Sequence, residues 1–220
     1  MKHLFIVANW KSNKTVKEAE DWINELKNAN LDVVNKEIII CPSFTLLSHT
    51  KSLITNYQLS ITLGAQNISP FDEGAYTGEV NGKQMKEFAD FVIIGHSERR
   101  QNFKETDEML VKKVQMVQKY LLTPIFCIQN EDTFIPEGVK IVAYEPVEAI
   151  GTGNPDTPEN AEKVARVIKN THKDVMYVLY GGSVTSANIS GFTKMPSIDG
   201  ALVGGASLDA KEFTKIIQNA

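Results

Sequence analysis

The sequence has little that would restrain a chain by any means other than packing. It has two cysteines, Cys41 and Cys127, far apart and in no metal-ligand spacing, so a disulfide framework is excluded. The four histidines, His3, His49, His96 and His172, contain no HExxH-like pair, and no metal site is expected. No apolar run approaches the roughly 18 residues of a membrane span. The N-terminal run Leu4-Phe5-Ile6-Val7-Ala8 stops at Asn9 and Lys11, too short for a signal segment and without a cleavage site. No membrane partner is expected, and the expected compartment is the cytoplasm. Fourteen Gly and eight Pro are too few for a low-complexity or collagen-like chain. There is no basic run, and 23 Lys+Arg against 27 Asp+Glu give a formal charge of -4. Nucleic acid is therefore a poor candidate partner. A small anion is not excluded, because binding one needs only local positive potential.

What the chain does have is apolar sequence in short, regular pieces. With 220 residues and 42% hydrophobic content, it can bury around 70% of its unfolded surface without staples. Runs at 4–10, 37–41, 61–66, 91–96, 124–128, 141–145, 176–180 and 200–203 are short and not alternating. That is the pattern of strands covered on both faces. Helical periodicity lies between most of them. Thr15 and Glu18 form a capping box ahead of Val16, Ala19, Trp22, Ile23 and Leu26. Thr157-Pro158 opens a second helix, with Ala161, Val164, Ala165 and Ile168 inward. Residues 107–120 and 209–218 read similarly. Eight units in this length average about 27 residues each, the scale of a compact βα repeat.

The fold class is therefore α/β, either a doubly wound sheet or an eight-stranded parallel barrel. Polar and glycine residues at the strand ends, from both ends of the chain, converge more naturally in a closed barrel. The expectation is one (β/α)8 barrel domain over residues 1–220. The interval between the fifth and sixth strands, 129–139, holds eleven residues including Pro136 and Gly138. A parallel crossover usually needs about a dozen or more residues and a helix, so this helix is predicted to be reduced or missing. Thr133, Phe134, Ile135 or a partner subunit would then cover the flank.

Four groups of residues could carry chemistry. Glu145 stands at a strand end, followed by Pro146, a short apolar stretch and Gly151-Thr152-Gly153. A catalytic base with a water-excluding lid requires such stiff hinges and an apolar tip; the plainer reading is a loop-capping Glu before a Gly-rich turn. His96 follows an apolar strand and precedes a helical start, where the positive dipole end favours the neutral imidazole. A satisfied structural His is the plainer alternative, and Glu98-Arg99 is most simply a local ion pair. Asn9 and Lys11 are two apart, so in extended chain they point the same way; Lys11 would bring positive charge to an anionic substrate or would simply be solvated. Gly181-Gly182-Ser183 and Gly204-Gly205 follow strands seven and eight, the loops that frequently hold phosphate in such barrels.

Eight colinear motifs span the chain: Ala8-Asn9-Trp10-Lys11, Gly64-Ala65-Gln66-Asn67, Gly74-Ala75-Tyr76-Thr77-Gly78-Glu79, Gly95-His96-Ser97-Glu98-Arg99-Arg100, Ala143-Tyr144-Glu145-Pro146-Val147, Ile150-Gly151-Thr152-Gly153, Tyr180-Gly181-Gly182-Ser183-Val184 and Leu202-Val203-Gly204-Gly205-Ala206-Ser207-Leu208. Together they closely resemble the triosephosphate isomerase family. The resemblance implies a (β/α)8 TIM barrel and interconversion of dihydroxyacetone phosphate with D-glyceraldehyde 3-phosphate. It implies Glu145 as the base and His96 as the electrophile and proton shuttle. Lys11 and Asn9 would polarise the substrate, and Gly151, Ser183, Gly204 and Gly205 would hold its phosphate. It implies no metal and no organic cofactor. The loop at 74–79 resembles the dimer-forming loop, with Thr77 reaching a neighbour's active site.

Two departures stand out. Glu148 occupies the lid position where most of the family has Trp, and is expected to make a lid contact with no chemistry. The short strand-five to strand-six connection resembles, with Glu148, the compact archaeal-type branch, while the motifs around 74–79 and 96–100 resemble the bacterial pattern. A tetramer is a second possible assembly. The competing functions are a Schiff-base aldolase using Lys11, which borohydride would trap, and a barrel kept only for binding or assembly.

Overall fold

In the computed structural model, which describes residues 2–29, 31, 33–146, 149 and 154–220, the eight expected strands all form. They are β1 Leu4–Asn9, β2 Lys36–Cys41, β3 Thr62–Ala65, β4 Phe91–Ile94, β5 Thr123–Ile128, β6 Ile141–Tyr144, β7 Tyr177–Tyr180 and β8 Gly200–Val203. Each pairs in parallel with its neighbour in sequence, and β8 closes on β1, with Phe5 opposite Gly200 and Ala8 opposite Val203. The doubly wound alternative is thereby excluded.

The helices are α1 Val16–Lys27, α2 Leu47–Asn56, α3 Gly82–Lys86, α4 Ser97–Phe103, α5 Asp107–Lys119, α6 Pro158–Thr171, α7 Ile189–Thr193 and α8 Ala210–Asn219. α1 begins at the Thr15–Glu18 capping box, with both reciprocal bonds made. α6 begins at Thr157, whose side chain accepts from the Asn160 N–H, with Pro158 in the first turn. Asp209 caps α8 by accepting from the Glu212 N–H. Each cap satisfies a helix-end donor that has no intrahelical partner.

Non-alternating strands are explained by two separate apolar layers. Phe5, Val7, Ile39, Cys41, Ile93, Ile125, Cys127, Ile141, Ala143, Leu179 and Leu202 pack together inside the barrel. The alternate residues, such as Ile6, Ile40, Val92, Phe126, Val142 and Val178, pack outward with the helices. Burial of Trp22, Ile23 and Leu26 fastens α1 to this outer layer, at about 1.5–3 kcal/mol per large side chain. β3 gives Gly64 to the interior, where a Cβ would stand 2.5 Å from Cys41 Sγ and 3.1 Å from Ile39.

No helix lies between β5 and β6, as the short interval predicts. Of the three residues expected to cover this flank, Ile135 is buried and packs in the outer layer, whereas Phe134 is 52% exposed. Ile135 is thus the internal cover and Phe134 is not. Asn130 and Thr133 knit the start of the link: the Thr133 hydroxyl accepts from the Gln129 and Asn130 N–H groups and donates to Asn130 Oδ1.

Candidate active site

The carboxyl ends of the strands enclose a pocket of about 310 Å³, at the lower end of the usual size of small-molecule sites. Asn9, Lys11, His96, Glu145, Ser183, Gly204 and Gly205 all line it, joined by Gly181, Gly182, Val184, Thr185 and Asn188. The structure therefore brings together every expected site residue that it describes. Gly151, together with Val147, Glu148, Ile150, Thr152 and Gly153 of the expected lid, lies outside the described residues.

Glu145 sits at the pocket floor, 2% exposed. Its backbone N–H donates to the Ile128 carbonyl at 2.7 Å, continuing the β5–β6 ladder past the strand end. Its Oε2 accepts from the Ser97 N–H at 2.9 Å, and its Oε1 lies 3.1 Å from His96 Nε2. Gly181 makes room for the side chain: a Cβ there would stand 2.8 Å from Glu145 Cγ. Burial pushes the Glu145 carboxyl above its ordinary value, opposed by His96, the Ser97 hydrogen bonds and Lys11.

His96 is the N-cap of α4, and its Nδ1 accepts from the Glu98 N–H at 3.2 Å. An accepting Nδ1 carries no proton. In the neutral ring the proton is then on Nε2, the nitrogen facing Glu145. The orientation of the ring thus has a local cause, a backbone N–H at a helix start.

Two readings of the sequence are corrected here. Asn9 and Lys11 do not share a face by strand alternation, because Lys11 has φ 53°, in the left-handed region. That conformation is costly for a residue with a Cβ. It is held by Asn9 Oδ1, which accepts from the Lys11 N–H at 3.1 Å, and by Gln66 Nε2, which donates to the Lys11 and Cys41 carbonyls at 2.8 and 2.9 Å. Nor do Glu98 and Arg99 pair locally. Glu98 Oε1 meets Lys11 Nζ at 2.5 Å, and Arg99 Nε meets Glu105 Oε1 at 2.7 Å. Glu105 in turn pairs with buried Lys113. Successive helical residues face different directions, so Glu98 turns to Lys11 and Arg99 to Glu105.

Sequence reasoning also missed Asn188. Its Nδ2 donates to the Ser183 carbonyl at 2.9 Å and its Oδ1 accepts from the Thr185 N–H at 2.8 Å, which shapes the turn after β7. A polar residue two to five positions beyond a Gly-Gly-Ser turn was the available signal. Ser183 Oγ donates to the Ala149 carbonyl at 2.7 Å, tying that turn to the segment after Glu145. Among the described residues no group of three or more His, Cys, Asp and Glu side chains is placed to hold a metal ion.

The raised Glu145 carboxyl has a measurable consequence for stability. Unfolded, it ionises near the ordinary 4.5; folded, it ionises at higher pH. Between these points the native state holds more protons than the unfolded state. Stability therefore falls as pH rises through that window and stays lower above it. Glu145→Gln abolishes this titration. Urea midpoints at neutral pH should be higher for the variant than for the parent, with the gap closing below the glutamate range. Equal midpoints at neutral pH would show that burial of this carboxylate costs nothing.

Comparison with known proteins gives one answer. The family model described as triosephosphate isomerase matches residues 4–220. A triosephosphate isomerase of Mesomycoplasma hyopneumoniae is 42% identical over 241 aligned positions, covering 98% of each chain. Those of Caldanaerobacter subterraneus and Dictyoglomus turgidum are 41% and 39% identical over 249 and 251 positions, covering 99% and 100% of each chain respectively. These alignments exceed the 220 residues here, so each relative carries residues that this chain lacks. A match running from β1 to the last residue, on a barrel whose strand ends enclose a carboxylate, an imidazole and an ammonium, is decisive: the chain belongs to the triosephosphate isomerase family.

Proposed function

We propose that the chain interconverts dihydroxyacetone phosphate and D-glyceraldehyde 3-phosphate through an enediolate at this pocket. The observation that carries the reading is the 3.1 Å approach of His96 Nε2 and Glu145 Oε1 beside Lys11 and the two glycine turns. Glu145 takes the proton from one substrate carbon and returns it to the neighbouring carbon. His96 Nε2–H donates to the substrate oxygens and moves the hydroxyl proton between them, so no atom is gained or lost. Lys11 and Asn9 stabilise the negative charge that develops on oxygen. Gly151, Ser183, Gly204 and Gly205 hold the phosphate, where glycine lets peptide N–H groups approach an anion. Preorganised donors in a site shielded from water act most strongly where charge develops.

The Schiff-base alternative needs the Lys11 amine as a nucleophile, whereas its Nζ is engaged by Glu98 at 2.5 Å. An isomerase assay coupled to a dehydrogenase tests the proposal directly. Turnover of both triose phosphates, with no covalent adduct on borohydride treatment, is the expected result. Absence of turnover would favour a binding-only barrel, and a trapped adduct the aldolase.

The reading extends to organisation. Residues 1–220 form one catalytic domain working in the cytoplasm; among the described residues no helix is long and apolar enough to cross a membrane. The loop at 74–79 supports a homodimer, with Thr77 reaching the neighbour's pocket. It is exposed, its Tyr76 stacks on Phe71 at 4.3 Å, and the residues just before it anchor it, Asp72 to Lys119 and Tyr120 and Glu73 to Lys83. The helix-free flank with exposed Phe134 offers a second surface for a tetramer. The same shortening, with Glu148 in the lid, supports likeness to the compact archaeal-type branch.

A further inference from the structure

The first and last units of the barrel are joined by two hydrogen bonds that converge on one short turn, which a third bond braces from within. The 3₁₀ turn Gly205–Leu208 follows Gly204 directly, and no side chain caps its start. The Ser207 hydroxyl donates to the Gly204 carbonyl at 2.7 Å. Trp22 Nε1 donates to the Ser207 carbonyl at 3.0 Å. Lys14 Nζ donates to the Leu208 carbonyl at 2.8 Å. A single 3₁₀ turn has poor internal hydrogen-bond geometry, so its orientation over the pocket depends on such outside donors. Trp22 supplies its bond from α1, on the far side of the β1–β8 seam. The side chain is 3% exposed and packs edge-on to Trp10 at 4.9 Å and tilted against Phe213 at 5.7 Å. Packing alone would be served by a phenyl ring. The indole N–H is what a phenyl ring lacks, and it is spent on this one carbonyl.

We propose that Trp22 is a positioning residue for anion binding: its N–H fixes the turn whose Gly204 and Gly205 line the pocket. This rests on the reading above that those glycines hold the substrate phosphate. Trp22 touches no substrate; it acts through the Ser207 carbonyl, and a turn released from that anchor offers its N–H groups to the anion less well.

Trp22→Phe tests it by keeping the ring and deleting the donor. The KM for triose phosphate and the inhibition constant of inorganic phosphate should rise together by about three- to tenfold, the worth of one buried hydrogen bond, while kcat changes far less. Loss of thermal stability with both constants unmoved would overturn the proposal, since that is what a merely structural tryptophan does. A second measurement needs no folded Trp22 variant. The chain has only two tryptophans, so indole-¹⁵N labelling gives two signals, which Trp10→Phe assigns. Saturation of the parent protein with inorganic phosphate should move the Trp22 signal; an unmoved signal would refute the coupling. If inorganic phosphate binds the parent but fails to compete with substrate, the phosphate reading itself falls, a result distinct from equal competition in parent and variant, which overturns Trp22 alone.

Discussion

Glu145→Asp should bind inorganic phosphate as the parent does and turn over about a hundredfold more slowly, because a retreat of about 1 Å by a reacting group costs that much. The backbone cannot advance to compensate. The Glu145 N–H is fixed to the Ile128 carbonyl, and the Gly181 N–H to the Tyr144 carbonyl at 2.7 Å, so the floor of the pocket is part of the β5–β6–β7 ladder. Removing one methylene therefore withdraws the carboxylate and leaves the glycine turns after β7 and β8 in place. Steady-state kinetics with phosphate as a competitive inhibitor separates the two effects. Unchanged kcat would take the role of base away from Glu145, and a matching loss of phosphate affinity would mean that the carboxylate shapes the anion site.

The second large effect is expected at Lys11. Lys11→Met keeps the length of the side chain and deletes its charge, the one nearest the pocket that can face a developing oxyanion. Loss of one preorganised donor costs about a hundred- to thousandfold in kcat. Here the loss is compounded, because Glu98 is left without the ammonium it meets at 2.5 Å. A carboxylate without its partner beside an anionic substrate repels it. The double variant Lys11→Met with Glu98→Gln should therefore recover part of the loss in kcat/KM. A single variant within tenfold of the parent would exclude Lys11 from the chemistry. Failure of Glu98→Gln to recover anything would mean that Glu98 does not sense the substrate.

Much of this arrangement is legible in the sequence where the determining contacts are local. The Thr15–Glu18 box, Thr157-Pro158 and the strand pattern each depend on neighbours within four residues, or on a surface preference that every residue of a segment shares. The missing helix after β5 follows from arithmetic, since eleven residues cannot hold a helix and two turns. The short helices α3 and α7 escape the sequence reading. Each has five residues, too few to establish a periodicity, and tertiary packing holds them in place.

The site divides the same way. Glu145, His96 and the glycine pairs could be named because each stands at the end of an apolar run, and a parallel barrel gathers all such ends on one face. The partners of those residues could not. Lys11 has a left-handed backbone whose carbonyl is held by Gln66 Nε2, 55 residues away. Glu98 turns toward Lys11, 87 residues distant, and leaves adjacent Arg99 to Glu105. Trp22 reads as one more core position on α1 until its N–H is seen to reach across 185 residues to Ser207.

The sequence alone determined the order of the strands, the closure that order favours and the residue types at the strand ends, because these follow from periodicity and chain length. Only the tertiary structure decided which polar group faces which, how the strained Lys11 backbone is held and what pins the last turn. Those outcomes depend on directions of side chains across the barrel, and direction between distant segments is fixed only once the sheet has closed.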